Sequence, residues 1–195
     1  GVVGSPFAVG TMPRGVTVDA NGRFAYVANE GSNNVSAFTI NSTSGALTGV
    51  AGSPFAAGTT PRGITVDPSG RVVYVANAGS NNVSAFTINS TSGALTGVAG
   101  SPFAAGTTPR GATVDPTGQW VYVANAGSDN VSAFAIGTRT LGALTPVAGS
   151  PFAAGASPRA VTVDPSGRFA YVANETSNDV SVFTINSTTE IGRAH

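Results

Sequence analysis

The chain has 195 residues and a formal net charge of zero, because nine arginines balance six aspartates and three glutamates. This balance leaves no basic field for nucleic acid, and no apolar run approaches the roughly 20 residues of a membrane helix, so we expect neither nucleic-acid binding nor membrane insertion. Cysteine is absent and the single histidine is His195, so we predict no cofactor, no metal site and no histidine- or cysteine-based catalysis.

A tandem repeat accounts for nearly the whole chain. Copies anchored on a Pro-Arg pair begin 48, 48 and 49 residues apart, and the first two differ at only six positions. The third copy carries one extra residue around 138–141. The complete repeats are 13–60, 61–108 and 109–157, preceded by 1–12 and followed by 158–189. A period of this length built from short β-type runs is typical of propeller blades.

The repeat 61–108 illustrates the predicted elements in chain order. A first strand at 63–66 ends at an Asp-Pro-Ser-Gly turn, and a second strand follows at 71–76. A third strand covers 83–88, and a weaker fourth runs from Ala94 to Ala104. Pro102 in the fourth is compatible with an edge strand. We therefore predict an all-β protein, a β-propeller of four-stranded antiparallel blades with four repeats in the chain.

The two ends of the sequence carry complementary parts of one blade. Residues 1–12 match 97–108, the end of a repeat, whereas 158–189 supplies the first three strands of one. We expect 1–12 to act as the outer strand that completes the blade of 158–189, which would remove exposed sheet edges. Residues 190–195 depart from the repeat, and we interpret them as an artefactual tail on a fragment of a longer repeat protein.

The second and third strands carry a recognisable motif. It reads Tyr74-Val75-Ala76-Asn77 followed by Gly79-Ser80-Asn81-Asn82, and it recurs at Tyr26, Tyr122 and Tyr171. In this motif the chain resembles YVTN-type β-propeller repeats of the lactonase-like (6-phosphogluconolactonase-like) superfamily, with Ala in place of the motif's Thr. The resemblance implies a propeller fold, commonly of seven blades, and makes lactone hydrolysis a candidate activity.

Four arginines form the main candidate binding site. One stands at the entry of each first strand, and first strands line the axis of a propeller, so the guanidinium groups would ring one channel mouth. Such a ring suits carboxylate or phosphate groups, although a structural role in pairing with carboxylates or carbonyls is the alternative. These residues are Arg14, Arg62, Arg110 and Arg159.

Two further series recur in every repeat and are interpreted as structural. The aspartates precede the turn residues, where side-chain oxygens accept local backbone hydrogen bonds, so we assign them to turns rather than to metal binding or catalysis. They are Asp19, Asp67, Asp115 and Asp164. The aromatic residues of the second and third strands are assigned to the core between blades. They are Tyr26, Tyr74, Tyr122, Tyr171, Phe38, Phe86, Phe134 and Phe183, with Trp120 breaking the symmetry in the third repeat.

These features favour a non-enzymatic repeat scaffold that binds a ligand or assembles at an extracellular or periplasmic surface. One alternative is a lactone hydrolase acting on a sugar lactone, and another is self-assembly as the function itself. The expected partners are a carbohydrate or protein ligand, further repeats of a longer chain, or a second copy that completes an eight-bladed ring. Because the blades are nearly identical, swapping of blades between chains is favoured.

Overall fold

The computed structural model describes residues 1–186 and 190–193, and in this part of the chain it contains four antiparallel β-sheets. Each sheet is one blade, and neighbouring blades contact each other through their first strands. The prediction of an all-β propeller is confirmed. The first blade contains β1 Pro13–Val18, β2 Phe24–Asn29, β3 Asn34–Ile40, β4 Leu47–Gly49 and β5 Phe55–Ala56.

The other three blades follow the same order. The second contains β6 Pro61–Val66, β7 Val72–Asn77, β8 Asn82–Ile88, β9 Leu95–Gly97 and β10 Phe103–Ala104. The third contains β11 Pro109–Val114, β12 Trp120–Asn125, β13 Asn130–Ile136, β14 Leu144–Pro146 and β15 Phe152–Ala153. The fourth contains β16 Pro158–Val163, β17 Phe169–Asn174, β18 Asp179–Asn186 and β19 Glu190–Arg193.

The predicted fourth strand is two short strands, which corrects the sequence interpretation. In the second blade, β9 pairs with the end of β8 and β10 pairs with its beginning, at Phe103↔Val83. Between them the hydroxyl of Ser101 accepts the N–H of Ala85 at 2.9 Å, so a side chain supplies the missing ladder bond. Pro102, which has no N–H to donate, lies just before β10 and outside both strands.

In the second and third blades the second strand is buried on both faces because the blade lies between two neighbouring blades. All six residues of β7 are buried, and Tyr26, Tyr74 and Tyr122 are at most 2% exposed. These tyrosines belong to three apolar clusters, each formed between one blade and the next. A sheet covered on both faces does not need the alternation of a half-exposed sheet.

The inner strands approach each other so closely that a glycine is required at their third residue. A Cβ added at Gly15 would lie 2.4 Å from the carbonyl oxygen of Arg62, and one added at Gly63 would lie 2.4 Å from that of Arg110. In the fourth blade the corresponding residue is Ala160, which is exposed. The close packing around the axis therefore depends on a residue without a side chain.

The first and fourth blades each have one face that no neighbouring blade covers. Val16 and Val18 of β1 are 68% and 50% exposed, whereas Ile64 at the position of Val16 is 8% exposed. On the fourth blade, Tyr171 and Val180 are 40% and 57% exposed. The buried counterparts of these residues are covered by an adjacent blade, so each end presents one half of a blade interface.

Residues 1–12 contain no strand and lie along the first blade, where the N–H of Thr11 donates to the hydroxyl of Ser32 at 2.7 Å. Beside β18, the fourth-strand position is occupied by β19, with Ile185 opposite Ile191. The pairing of 1–12 with the last blade and the artefactual origin of 190–195 stay predictions. Residues 187–189 and 194–195 lie outside the described part of the chain.

Candidate functional site

The four arginines of the predicted ring stand at the second residue of each inner strand. In the second, third and fourth blades, a hydrogen bond to the preceding blade fixes where this strand begins. Thr60, immediately before the Pro-Arg pair of the second blade, has a left-handed φ of 56°. Its N–H donates to the side-chain oxygen of Asn33 in the first blade at 2.8 Å. The same bond links Thr108 to Asn81 at 2.8 Å. In the second, third and fourth blades the arginine is therefore positioned by a contact between blades.

Glu30 connects two of these arginines. Its carboxylate accepts a hydrogen bond from Arg14 of its own blade and another, at 2.5 Å, from Arg62 of the next blade. The Glu30 side chain is only 10% exposed. Burial acts to raise the pKa of Glu30, but the hydrogen bonds and positive charges of Arg14 and Arg62 outweigh burial and lower the pKa below its usual range. Glu30 is therefore a carboxylate that forms ion pairs with two arginine side chains.

A further ion pair is formed within the fourth blade. Arg159 donates from its Nε to Glu175 at 2.5 Å, and the Glu175 side chain is 55% exposed. Glu175 occupies the position in its blade that Glu30 occupies in the first. This pair neutralises Arg159 at the more open end of the cluster.

Arg110 differs from the other three because no carboxylate is paired with it in the described part of the chain. The residues at the Glu30 position in its own blade and in the preceding one are Ala126 and Ala78. Its Nε, like that of Arg62, is buried without a hydrogen-bond partner among the described residues. Burial, followed by the positive charges of Arg62 and Arg159, lowers the pKa of Arg110.

The arginine cluster, defined as Arg14, Arg62, Arg110 and Arg159 with Glu30 and Glu175, thus carries two more positive than negative side chains. One unit of this excess is Arg110, and the other arises because Arg14 and Arg62 share Glu30. A guanidinium group with an unused N–H can hold a carboxylate or phosphate oxygen in a charge-assisted hydrogen bond. The cluster is therefore chemically suited to anion binding at one end of the inner strands.

The aspartate series lies at the opposite end of the inner strands and is occupied by turn hydrogen bonds. In the second blade, Oδ1 of Asp67 accepts the N–H groups of Arg71 and Val72, each at 2.7 Å, and Oδ2 accepts the hydroxyl and N–H of Ser69. The same arrangement recurs around Asp115 and Asp164. At Asp164 the hydrogen bond from Ser166 is the largest of the effects that lower the pKa.

The aromatic side chains pack between blades and are not gathered into an exposed platform. Tyr26 lies against the second blade and donates from its hydroxyl to the carbonyl of Gly93 at 3.0 Å. Trp120 packs on the cluster between the third and fourth blades. Tyr171 is the exception, because no other blade among the described residues covers it and it is 40% exposed.

Neither a metal site nor a membrane-spanning helix is found in the described residues. No group of three or more His, Cys, Asp or Glu side chains there is placed to hold a metal ion. Within residues 1–186 and 190–193, no helix is long and apolar enough to cross a lipid bilayer.

Sequence reasoning identified the arginines but missed the two glutamates that partner three of them. A signal was present, because Glu30/Ala78 is one of the six differences between the first two repeats. In a near-perfect repeat, a charged residue that replaces alanine is a candidate partner for a recurrent opposite charge. Its contact with Arg62 of the next blade becomes visible only when the blades are packed.

Comparison with known proteins agrees with this architecture. The sequence model of the family described as "Lactonase, 7-bladed beta-propeller" matches residues 15–108 and 99–153, which is more than half of the chain. No curated protein matches the sequence.

Several solved structures share the fold. A provisionally assigned 6-phosphogluconolactonase from Bacteroides uniformis has a TM-score of 0.83 at 20% identity, over 94% of this chain and 53% of its own. A similarly assigned protein from Bacteroides fragilis has a TM-score of 0.82 at 24% identity, over 93% and 53%. The periplasmic gluconolactonase of Pseudomonas aeruginosa has a TM-score of 0.77 at 20% identity, over 93% and 52%. The chain spans about half the length of these proteins.

Proposed function

Because the chain belongs to the lactonase family of seven-bladed β-propellers, we propose that it is a non-enzymatic binding scaffold that holds carboxylate- or phosphate-bearing ligands at the arginine cluster. The observation that carries this proposal is the state of Arg110. It has a buried, unpartnered Nε and no paired carboxylate in the described residues, although Glu30 or Glu175 pairs with the other three arginines. A bound anion would supply the hydrogen-bond acceptor and the negative charge that Arg110 lacks.

The charges in the cluster favour binding over acid–base chemistry. A general acid or base works best with a pKa near the operating pH, whereas Arg14 and Arg62 move the pKa of Glu30 away from neutrality. The aspartates lie at the other end of the inner strands, where Oδ1 of each accepts two backbone N–H groups of its turn. The described residues of the cluster therefore supply positive charge and donors rather than a proton-transfer group.

Calorimetric titration with inorganic phosphate tests the proposal. We expect saturable binding to the wild-type chain that falls at least about tenfold in Arg110→Gln, because a charge-assisted hydrogen bond is lost. Arg168→Gln is the matched control, since Arg168 lies over the ring of Phe169 and outside the cluster. Equal loss in both variants, or no binding by the wild type, would contradict an anion site at Arg110.

Hydrolysis of a sugar lactone is the second candidate, and family membership is the observation that favours it. In that case the cluster would hold the anionic group of a substrate while residues from other blades supply the chemistry. Purified chain assayed with sugar lactones at neutral pH separates the two proposals. Turnover by the wild type that disappears in Arg110→Gln would show that the chain is an enzyme rather than a scaffold.

We further propose that the open end blades bind a second copy of the chain, head to tail. Support comes from the three interfaces within the chain, where a face carrying the buried tyrosine meets a face carrying an apolar first-strand residue, Ile64, Ala112 or Val161. The fourth blade presents the same tyrosine face at Tyr171, and the first blade presents the partner face at Val16. Burial of these apolar side chains would drive the association.

An extracellular or periplasmic location completes the proposal. The low fraction of charged residues, 9%, and the absence of cysteine are compatible with export. Support also comes from the P. aeruginosa protein of the same fold, which is a periplasmic gluconolactonase. Fractionation of a bacterial host that expresses the native gene would test this location.

A further inference from the structure

A cavity of about 510 Å³ lies between the second and third blades, at the end of the inner strands opposite the arginine cluster. Its walls come from three turns, namely the Asp67 turn, the turn at 117–119, and the β13–β14 hairpin at 136–141. Tyr74 and Arg71 of the second blade also line it. A volume of this size is in the range of pockets that hold small organic molecules, about 300 to 1,000 Å³.

At the corresponding position between the first and second blades, the equivalent tyrosine and arginine have hydrogen-bond acceptors. There the hydroxyl of Tyr26 donates to the carbonyl of Gly93 at 3.0 Å, and Arg23 donates to the carbonyl of Ser90 at 3.0 Å. Arg23 also lies over the ring of Phe24, 5.1 Å from its centroid. Both donors of the first blade are therefore satisfied by the β8–β9 hairpin of the next blade.

Two local sequence changes remove these partners between the second and third blades. Val72 replaces the phenylalanine, so the ring that lies under the arginine is missing. The β13–β14 hairpin is one residue longer and reads Gly-Thr-Arg-Thr-Leu-Gly over 137–142 in place of Asn-Ser-Thr-Ser-Gly. A smaller side chain and a longer hairpin together account for the open space.

The result is a pair of donors without acceptors. Tyr74 is 0% exposed, and its hydroxyl has no hydrogen-bond partner among the described residues. The guanidinium group of Arg71, which corresponds to that of Arg23, forms no hydrogen bond or ion pair with any described residue. Arg71 is exposed, so its guanidinium group is solvated, whereas the buried Tyr74 hydroxyl left without a partner costs about 1–3 kcal/mol; a ligand that supplies an acceptor to this hydroxyl is therefore favoured.

The rest of the cavity wall carries further hydrogen-bond donors. The hairpin contributes Arg139, and the turn at 117–119 contributes the amide of Gln119 and the hydroxyl of Thr117. The one carboxylate in the wall, Asp67, already accepts the N–H groups of Arg71 and Val72 and the hydroxyl of Ser69. The cavity therefore offers two guanidinium groups and a phenol hydroxyl to a ligand.

We propose that this cavity binds a small hydroxylated carboxylate, with its carboxylate oxygens on Tyr74 and Arg71 and its hydroxyl groups toward Gln119 and Arg139. A carboxylate accepts from several donors at once and satisfies the buried phenol without adding a donor that would need its own acceptor. The lining side chain of Leu141 covers an apolar part of the wall and favours a carbon skeleton over a bare inorganic ion.

Titration of the full chain with tartrate, followed by amide NMR, tests the proposal. The sequence of 137–141 occurs once in the chain, so its signals can be assigned despite the repeats. We expect saturable shifts in this hairpin, weakened about tenfold or more by Tyr74→Phe and by Arg71→Gln, since each removes one bond to a charged oxygen. Tyr26→Phe and Arg23→Gln are the matched controls, because their donors are already bonded.

Arg110→Gln separates this site from the arginine cluster, because it should leave the hairpin shifts unchanged. Glucose, which carries hydroxyl groups but no carboxylate, should produce no shifts at the same concentration. Equal binding of glucose, equal weakening by the control variants, or absence of shifts in 137–141 would each overturn the proposal.

Discussion

Gly63 faces the carbonyl oxygen of Arg110 so closely that an added Cβ would lie 2.4 Å from that oxygen. The contact joins the inner strands of the second and third blades at the arginine cluster. Because the opposing atom belongs to the backbone, it cannot rotate away as the end of a flexible side chain can. The spacing of the arginines around the axis is therefore set by glycine.

Replacement of Gly63 by alanine should force these strands apart. We expect Gly63→Ala to lower the free energy of unfolding by about 1–3 kcal/mol, the usual cost of overpacking. Gly97→Ala is the control, since nothing lies within 4 Å of a Cβ at that position. Urea titration followed by fluorescence measures both, and equal stability of the two variants would show that the strands can separate freely.

The hydroxyl groups of Tyr26 and Tyr74 should differ in their contribution to stability. Tyr26→Phe removes a buried hydrogen bond to Gly93 and should destabilise the chain by about 0.5–1.5 kcal/mol. Tyr74→Phe removes a hydroxyl that has no partner among the described residues, so stability should stay the same or rise. Thermal unfolding of both variants without added ligand measures the difference. A larger loss in Tyr74→Phe would reveal an acceptor for that hydroxyl.

Glu30 should make stability depend on pH in the acidic range. Its pKa in the folded chain lies below the ordinary value of 4.5, so its contribution is present above about pH 4.5 and is lost as the pH falls through the folded pKa. Glu30→Gln should therefore cost about 1 kcal/mol at pH 7, and the cost should fall as the pH decreases below 4.5. The more exposed Glu175→Gln is the control and should cost less at pH 7.

Denaturant midpoints measured from pH 3 to 7 provide this comparison. A Glu30→Gln penalty that is independent of pH would mean that the lost contact is not an ion pair.

Ala160 should limit head-to-tail association. At the same position, a Cβ on Gly15, Gly63 or Gly111 would lie 2.4–2.7 Å from the next blade's backbone, so the methyl group of Ala160 prevents an equally close approach. We expect the 19.2 kDa chain to form a dimer in sedimentation experiments and Ala160→Gly to tighten it by roughly tenfold. Ala20→Gly, in an exposed turn, should leave association unchanged. A wild-type chain and an Ala160→Gly variant that are both strictly monomeric would refute the second-copy proposal.

The amino-acid sequence alone determined the repeat, the blade class and most strand positions. These features are local, because the Asp-x-x-Gly turns and short β-rich runs recur at a fixed period and each specifies its own backbone conformation. The division of the fourth strand into two was missed. It depends on the Ser101 hydroxyl reaching Ala85 across the sheet, a contact that strand propensity does not contain.

The tertiary structure alone decided which repeated side chains have partners. Glu30/Ala78 and Phe24/Val72 are visible in the sequence as differences between two repeats. Their consequences appear in the next blade, where Glu30 binds Arg62 and where a longer hairpin leaves Tyr74 without an acceptor. A repeated sequence specifies each blade, but charge pairing and cavities arise between blades, where small differences in neighbouring copies meet.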